Sequence, residues 1–166
     1  IVKFGNSGQF GDVCTSRRTW PGRLRLALLR RWADLYIALD SDMEAELLAA
    51  GFAPAKVRRM VNGIDAEAFR PARSPEAAKQ RMGLTDKIVA LHIGRLTEQK
   101  ALPDLLRALQ LAGETRPSLH LVLLGDGPEQ AALKKLARML GLETRVAFAG
   151  AQHNIGDYLA AADIFV

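Results

Sequence analysis

Two short glycine-containing segments carry the residue types that bind anionic ligands, and each follows a run of apolar residues. Residues 94–100 read GRLTEQK and place Arg95 and Lys100 between a predicted buried strand and a predicted helix. Free N–H groups and the positive dipole end at a helix start attract anions, and two cations strengthen that attraction. The segment predicts a pocket for a phosphate or diphosphate, although two solvated surface cations would give the same pattern.

The second segment, residues 125–128, reads GDGP and holds the same position after the next apolar run. Gly125 and Gly127 let a backbone approach a ligand closely, or simply make a tight turn. In the third such loop, Ala151 and Gln152 offer backbone and amide groups that could bind a nucleotide base. A dinucleotide fingerprint is not expected, because Gln130 stands where a third glycine would be needed.

A repeating pattern from residue 88 onward predicts the elements that position these loops. Apolar runs at 88–93, 119–124 and 146–148 each end at or near a glycine, and a fourth begins at Asp163. Apolar residues at helical spacing lie between the runs, so strands and helices alternate. Runs without polar alternation are typical of strands covered on both faces, which predicts an α/β fold with a Rossmann-like parallel sheet and flanking helices. Ligands bind such sheets beyond the carboxyl ends of the strands, where these loops lie.

The first part of the chain has a different pattern of predicted elements. We expect a helix over 24–33, a strand over 35–39, a helix opened by a capping box at 41–44, and a strand over 57–61. An Asn-Gly turn follows at 62–63. A domain boundary therefore falls in a connector at 62–75, with one domain ending at residue 61 and a second spanning 76–166.

Length and composition limit the classes of protein that fit. The chain has 166 residues, 49% of them hydrophobic and 25% charged, which is typical of a globular protein. Its single cysteine, Cys14, excludes an internal disulfide and favours a reducing, cytoplasmic setting. Charges within the apolar-leaning stretch 24–39 exclude a simple membrane span. A start without Met and an end inside an apolar run indicate a partial chain.

Several motifs in a fixed order resemble the family 4 (group 1) retaining glycosyltransferases of GT-B fold. The motifs are NGID at 62–65, FRP at 69–71, GRL at 94–96 with Lys100, LGDGP at 124–128, FAG at 148–150 and YLAAADIFV at 158–166. The resemblance implies a two-domain enzyme that moves a sugar from a nucleotide-diphosphate donor to a glycan or lipid-linked acceptor with retention of configuration. Residues 1–61 would be the end of the N-terminal acceptor domain, and 76–166 the first half of the C-terminal donor domain.

The resemblance also implies roles for individual residues. Gly94, Arg95 and Lys100 would hold the donor diphosphate. The nucleotide would contact Gly125, Gly127, Ala151 and Gln152. We expect no metal ion or other cofactor, because the cations can meet the negative charge of the leaving diphosphate. A nucleic-acid partner is not expected either. The acidic catalytic pair of the family is expected beyond Val166, so catalytic residues stay unassigned, and Ala101 replaces the usual glycine after the lysine.

Other functions fit parts of the pattern. Another GT-B enzyme, such as a sucrose or trehalose-phosphate synthase, would share the phosphate-binding cations. A non-catalytic Rossmann-like nucleotide-binding or assembly module would use the same fold without chemistry. His92, inside a predicted strand, is expected to be a hydrogen-bonded core residue rather than a catalyst.

Residues 17–31 contain six arginines and no acid. On a helix, Leu24, Leu28, Trp32 and Leu35 are expected to share one face, with Arg23, Arg30 and Arg31 opposite. The favoured interpretation is an apolar face that packs into the core and a solvated basic face. The alternative is docking on anionic lipid, which would bring the enzyme to the inner membrane face.

Overall fold

The computed structural model describes the backbone of residues 1–166 and every side chain except that of Phe10. The chain forms two compact units, Ile1–Ile64 and Asp65–Val166. The division falls inside the predicted connector, so residues 62–64 belong to the first unit and residues 65–75 to the second.

The first unit is a three-stranded parallel sheet in the order β1-β2-β3 with helices packed against it. Its elements are β1 (Val2–Lys3), α1 (Asp12–Arg17), α2 (Trp20–Trp32), β2 (Tyr36–Ala38), α3 (Ser41–Ala49) and β3 (Val57–Arg59), with 3-10 turns at Gly8–Phe10 and Pro54–Lys56. Buried Tyr36 is central to the core, since its ring meets Phe52 edge-on with centroids 4.6 Å apart and its hydroxyl donates to the Leu29 carbonyl at 2.7 Å.

Three local expectations for this unit differ from the structure. The α3 cap is Asp40, whose Oδ1 accepts from the Met43 N–H at 2.7 Å, so the helix is capped one residue before the predicted box. The last strand ends at Arg59, and residues 62–63 form an irregular stretch instead of a turn.

The core-facing stripe predicted for α2 is also wrong. Leu24 and Leu28 are exposed, and so is Trp32 at 72%. The helix instead packs through Leu26, with partly buried Leu29 beside it. The helix is therefore rotated from the orientation expected from its apolar residues.

The second unit is a four-stranded parallel sheet in the order β6-β5-β4-β7. Its elements are α4 (Pro75–Arg81), β4 (Ile88–Ile93), α5 (Leu102–Thr115), β5 (Leu119–Leu124), α6 (Gln130–Met139), β6 (Val146–Gly150), α7 (Ile155–Ala161) and β7 (Ile164–Phe165), with 3-10 turns at Ala66–Phe69 and Glu98–Lys100. Parallel strands alternating with helices confirm the predicted Rossmann-like α/β class.

Burial on both faces explains the strand sequences of this unit. On one face, Ala90, Leu121 and Leu123 pack with residues of α5 and α6. On the other, Leu91 and Val122 pack with residues that include α7. Most residues along β4 and β5 thus meet a helix layer, so the runs are mainly apolar and do not alternate strictly with polar residues.

The order of the strands reverses beside β4. The chain moves from β4 to β5 to β6 in one direction, and β7 then returns to the far side of β4. Such a reversal opens a crevice at the carboxyl ends of the two adjacent strands, which is the usual ligand position in open α/β sheets. The segment after β4 therefore lies at the switch point.

The segment before α4 is held on α7 by one buried carboxylate. Asp157 accepts hydrogen bonds from the Arg73 guanidinium and from the Ala72 N–H, the latter at 3.1 Å. A Cβ on Gly156 would lie 2.7 Å from the carbonyl oxygen of Arg70, so the chain also packs backbone to backbone. Burial alone would raise the pKa of Asp157, but these hydrogen bonds outweigh it and hold that pKa below the ordinary value of 3.8.

We predict that the Asp157 contacts make the stability of this unit depend on pH. A lowered carboxylate pKa stabilises the fold above the ordinary value of 3.8, and that contribution is lost as the pH falls through the folded-state value. Asp157→Asn should therefore unfold at lower urea than wild type at neutral pH, and the difference should vanish in acid. Exposed Asp86→Asn is the control. A difference that persists at a pH below the lowered, folded-state pKa of Asp157 would contradict this account.

Candidate functional site

The loop after β4 is anchored by a single buried side chain. Leu96 is 0% exposed and packs in the core between the sheet and α5. Its N–H donates to the Asp126 carbonyl at 3.0 Å, and its own carbonyl accepts from Glu129 N–H at 3.1 Å. Because Leu96 is fixed in this way, the adjacent Arg95 is held at the surface, where it is exposed.

Close backbone packing between the first two loops, which follow β4 and β5, requires glycine at two positions. A Cβ on Gly125 would lie 2.1 Å from the Gly94 carbonyl oxygen, and one on Gly127 would lie 2.2 Å from that of Leu96. Gly125 also has a φ of +123°, which side-chain-bearing residues rarely adopt. These glycines therefore bring the two loops into direct contact, whatever they do for a ligand.

Asp126 joins the third loop to this pair. Its Oδ2 accepts from the Ala151 N–H at 3.2 Å, while the Gly125 N–H donates to the Gly150 carbonyl at 2.8 Å. Gln152 folds back to donate to the Ala149 carbonyl at 2.7 Å. The sequence alone does not assign Asp126 a role, although its position between two glycines is a signal of one.

These loops enclose a cavity of about 330 Å³ at the carboxyl ends of β4, β5 and β6. Five predicted site residues line it: Gly94, Arg95, Gly125, Ala151 and Gln152. Apolar Ile93, Leu124 and Ile155 and the acidic Asp126 complete the lining. Lys100 and Gly127 do not line this cavity. Its position at the strand ends and a lining that combines apolar residues with Arg95 and Asp126 suit a small ligand.

Lys100 lies beside this cavity at the end of the 3-10 turn Glu98–Lys100 and is exposed. Its Cε is 3.8 Å from the position of a Cβ on Gly94, so the lysine stem passes close to the first loop. The next residue, Ala101, has a φ of +48° and connects the turn to α5. This left-handed conformation costs a non-glycine residue about 1–2 kcal/mol, and it marks the place where glycine was expected.

Two cations and the start of α5 thus lie together at the switch point. Such an arrangement attracts a compact anion, because the helix dipole and both side chains contribute positive potential. Within the part of the chain whose side chains are described, no three His, Cys, Asp or Glu residues group as a metal site would need.

The chain is similar to proteins of known family. Residues 75–166 match the family "Glycosyl transferases group 1". The "Lipopolysaccharide core biosynthesis glycosyltransferase LpsE" of Rhizobium meliloti (strain 1021) is 42% identical over 81 residues, covering 49% of this chain and 23% of that protein. The "GDP-mannose-dependent alpha-mannosyltransferase" of Mycobacterium tuberculosis (strain CDC 1551 / Oshkosh) is 29% identical, covering 98% of this chain and 39% of the relative.

Among solved structures, Anabaena Alr3699/HepE in complex with UDP-glucose superposes with a TM-score of 0.83 at 25% identity. The match covers 99% of this chain and 45% of that protein. The chain thus spans less than half the length of each of these relatives.

We predict that the loop packing depends on the glycines. Gly127→Ala should destabilise the protein by about 1–3 kcal/mol, because the added methyl group meets backbone rather than a movable side chain. Gly63→Ala is the matched control, since no atom lies within 4 Å of its Cβ position. Urea denaturation of both variants checks this, and equal stability of the two would contradict the packing argument.

Proposed function

The chain belongs to the group 1 glycosyl transferases, and on that premise we propose that the full-length protein transfers a sugar from a nucleoside diphosphate to an acceptor with retention of configuration. The cavity at the carboxyl ends of β4, β5 and β6, with Arg95 in its wall, carries this proposal. The similarity to a structure that holds UDP-glucose supports a nucleotide-sugar donor.

We assign the donor diphosphate to Gly94, Arg95 and Lys100. When the glycosidic bond breaks, negative charge develops on the leaving nucleoside diphosphate. Fixed cations stabilise that charge more in the transition state than in the ground state, which lowers the barrier. Arg95 suits the task because its planar guanidinium can contact two phosphate oxygens at once. In this proposal no metal ion is needed for the leaving group.

The nucleoside would extend from the diphosphate into the cavity. Gly125 and Gly127 shape the passage by bringing the first two loops together. Ala151 and Gln152, on the third loop, would meet the base, and Ile155 offers an apolar surface for its ring. The cavity is thus divided between a cationic end at Arg95 and an apolar end at α7.

A second proposal concerns the acceptor, and it rests on the exposed face of α2. Trp20 and Trp32 are 75% and 72% exposed, and Leu24 and Leu28 lie between them on the same face. Large apolar side chains in a row are costly to leave in water, and tryptophan favours the interface of a membrane.

Arginines accompany this apolar face. Arg18, Arg25 and Arg31 are exposed, and the stretch 17–31 contains no acid. The combination of tryptophan, leucine and arginine is typical of helices that lie on anionic bilayers. Among the described residues, no helix has the length and apolar character needed to cross a membrane. We therefore propose peripheral contact at the inner membrane face, where a lipid-linked acceptor would be within reach.

The donor assignment predicts that both cations contribute to nucleotide affinity. Arg95→Ala and Lys100→Ala should each cost about 1.5–3 kcal/mol, or roughly 10-fold to 150-fold in Kd, because each removes a charge-assisted hydrogen bond. Calorimetry of the full-length protein with uridine, guanosine and adenosine diphosphates measures this. Arg116→Ala, at the far end of α5, is the control.

Two results would contradict the donor assignment. One is the absence of saturable binding by any of the three nucleotides, which would favour a non-catalytic module. The other is binding by folded Arg95→Ala within a factor of about two of wild type, since one lost bond should exceed that.

The membrane proposal predicts lipid-dependent sedimentation. The full-length protein should pellet with vesicles that contain anionic lipid, and replacing Trp20 and Trp32 by serine should lower the partition coefficient at least about tenfold. Replacing Leu111 and Met139, exposed apolar residues of the second unit, by serine is the matched control. Equal pelleting with neutral and anionic vesicles would overturn the proposal.

A further inference from the structure

A buried histidine ring lies on the strand that leads into the site. His92, on β4, is 8% exposed, and its Nδ1 lies 3.1 Å from the backbone oxygen of Val166 next to β7. A carbonyl oxygen can only accept, so Nδ1 carries the ring proton in the neutral imidazole. Nε2 then presents an unprotonated lone pair.

That lone pair is buried and unpaired. Among the described residues, Nε2 of His92 has no hydrogen-bond partner. Leaving a buried acceptor without a partner costs about 1–3 kcal/mol. The expectation that His92 is simply a satisfied core residue is therefore true for only one of its two nitrogens.

The surroundings of Nε2 indicate its partner. A Cβ on Gly94 would lie 3.2 Å from Nε2 and 3.8 Å from Cε of Lys100. Both side chains thus lie on the side of Gly94 where a Cβ would stand. A lysine ammonium carries three donors at the end of a flexible stem, so rotation about its last bonds can direct one of them at Nε2.

We propose that His92 is a positioning residue of the donor site, whose Nε2 accepts a hydrogen bond from the Lys100 ammonium and holds that charge over Gly94 when a diphosphate binds. The proposal rests on the assignment of this loop to the donor. It deepens that assignment by giving the exposed lysine a fixed place at the switch point between β4 and β7. His92 contacts neither donor nor acceptor in this scheme and acts through Lys100.

Two substitutions distinguish the roles of the two ring nitrogens. His92→Asn keeps an amide donor near Nδ1 and removes the acceptor at Nε2. His92→Gln extends an amide oxygen toward the Nε2 position and restores the acceptor. His92→Asn should weaken UDP binding by the full-length protein at least about 5-fold, because the Lys100 ammonium loses its acceptor. His92→Gln should recover much of that loss.

A double-mutant cycle with Lys100→Met tests the mechanism. If His92 acts through the lysine, His92→Asn should have almost no further effect on UDP affinity in the Lys100→Met background. Lys135, an exposed lysine on α6, provides the control cycle. The effects of His92→Asn and Lys135→Met on UDP affinity should be additive. Additive effects of His92→Asn and Lys100→Met would overturn the proposal while leaving the donor assignment intact. If neither Arg95→Ala nor Lys100→Ala lowers UDP affinity, the role of His92 and the donor assignment are both overturned.

The wild-type protein offers a reading that does not depend on how the His92 variants fold. Nitrogen NMR should show the His92 Nε2 resonance shifting when UDP binds, because the lone pair becomes hydrogen-bonded. The shift should be lost in Lys100→Met and kept in Lys135→Met. A shift that persists in Lys100→Met would also overturn the proposal, since the donor would then be a group other than this lysine.

Discussion

The direct packing of one backbone on another at the ends of three strands is the constraint on which the site depends. The loops after β4 and β5 approach so closely that a single methyl group at Gly125 or Gly127 would meet carbonyl oxygen. Asp126 then joins the third loop through the Ala151 N–H. Because the contacts are between backbones, the loops cannot move apart without losing several hydrogen bonds together. The cavity and the position of Arg95 follow from this arrangement.

Close backbone packing also holds the segment that precedes the second sheet. The backbone at Phe69 and Arg70 packs directly on Gly156. The Asp157 carboxylate accepts hydrogen bonds from the residues that follow, Ala72 and Arg73. In both places a glycine permits close approach, and an adjacent aspartate fixes the neighbouring chain through its N–H groups. The second unit is thus stabilised near each end of α7 by polar contacts outside its apolar core, since Asp163 also accepts from Lys79 at 2.6 Å.

The electrostatics of the site are asymmetric. Arg95 and Lys100 are exposed at one side of the first loop, whereas the acidic Asp126 is occupied by contacts to the third loop. The positive potential therefore faces solvent, where an anionic donor would arrive, and the negative side chain is used internally. Ala101 connects Lys100 to α5 and has a strained, left-handed backbone conformation. This strain is a local free-energy cost of placing the lysine and the start of α5 near Gly94.

The sequence by itself determined the alternation of strands and helices in the second unit. Non-alternating apolar runs and helical spacing depend only on local order along the chain. It also determined which loops would hold the candidate residues, because strand ends are fixed once the strands are known. It could not determine the orientation of α2, since Leu26 and Leu24 are equally apolar and only the packing of the first unit decides which of them is buried. Nor could it assign the contacts of Asp126 and His92, which join residues far apart in the chain. Those contacts depend on distances between backbones, and only the tertiary structure sets them.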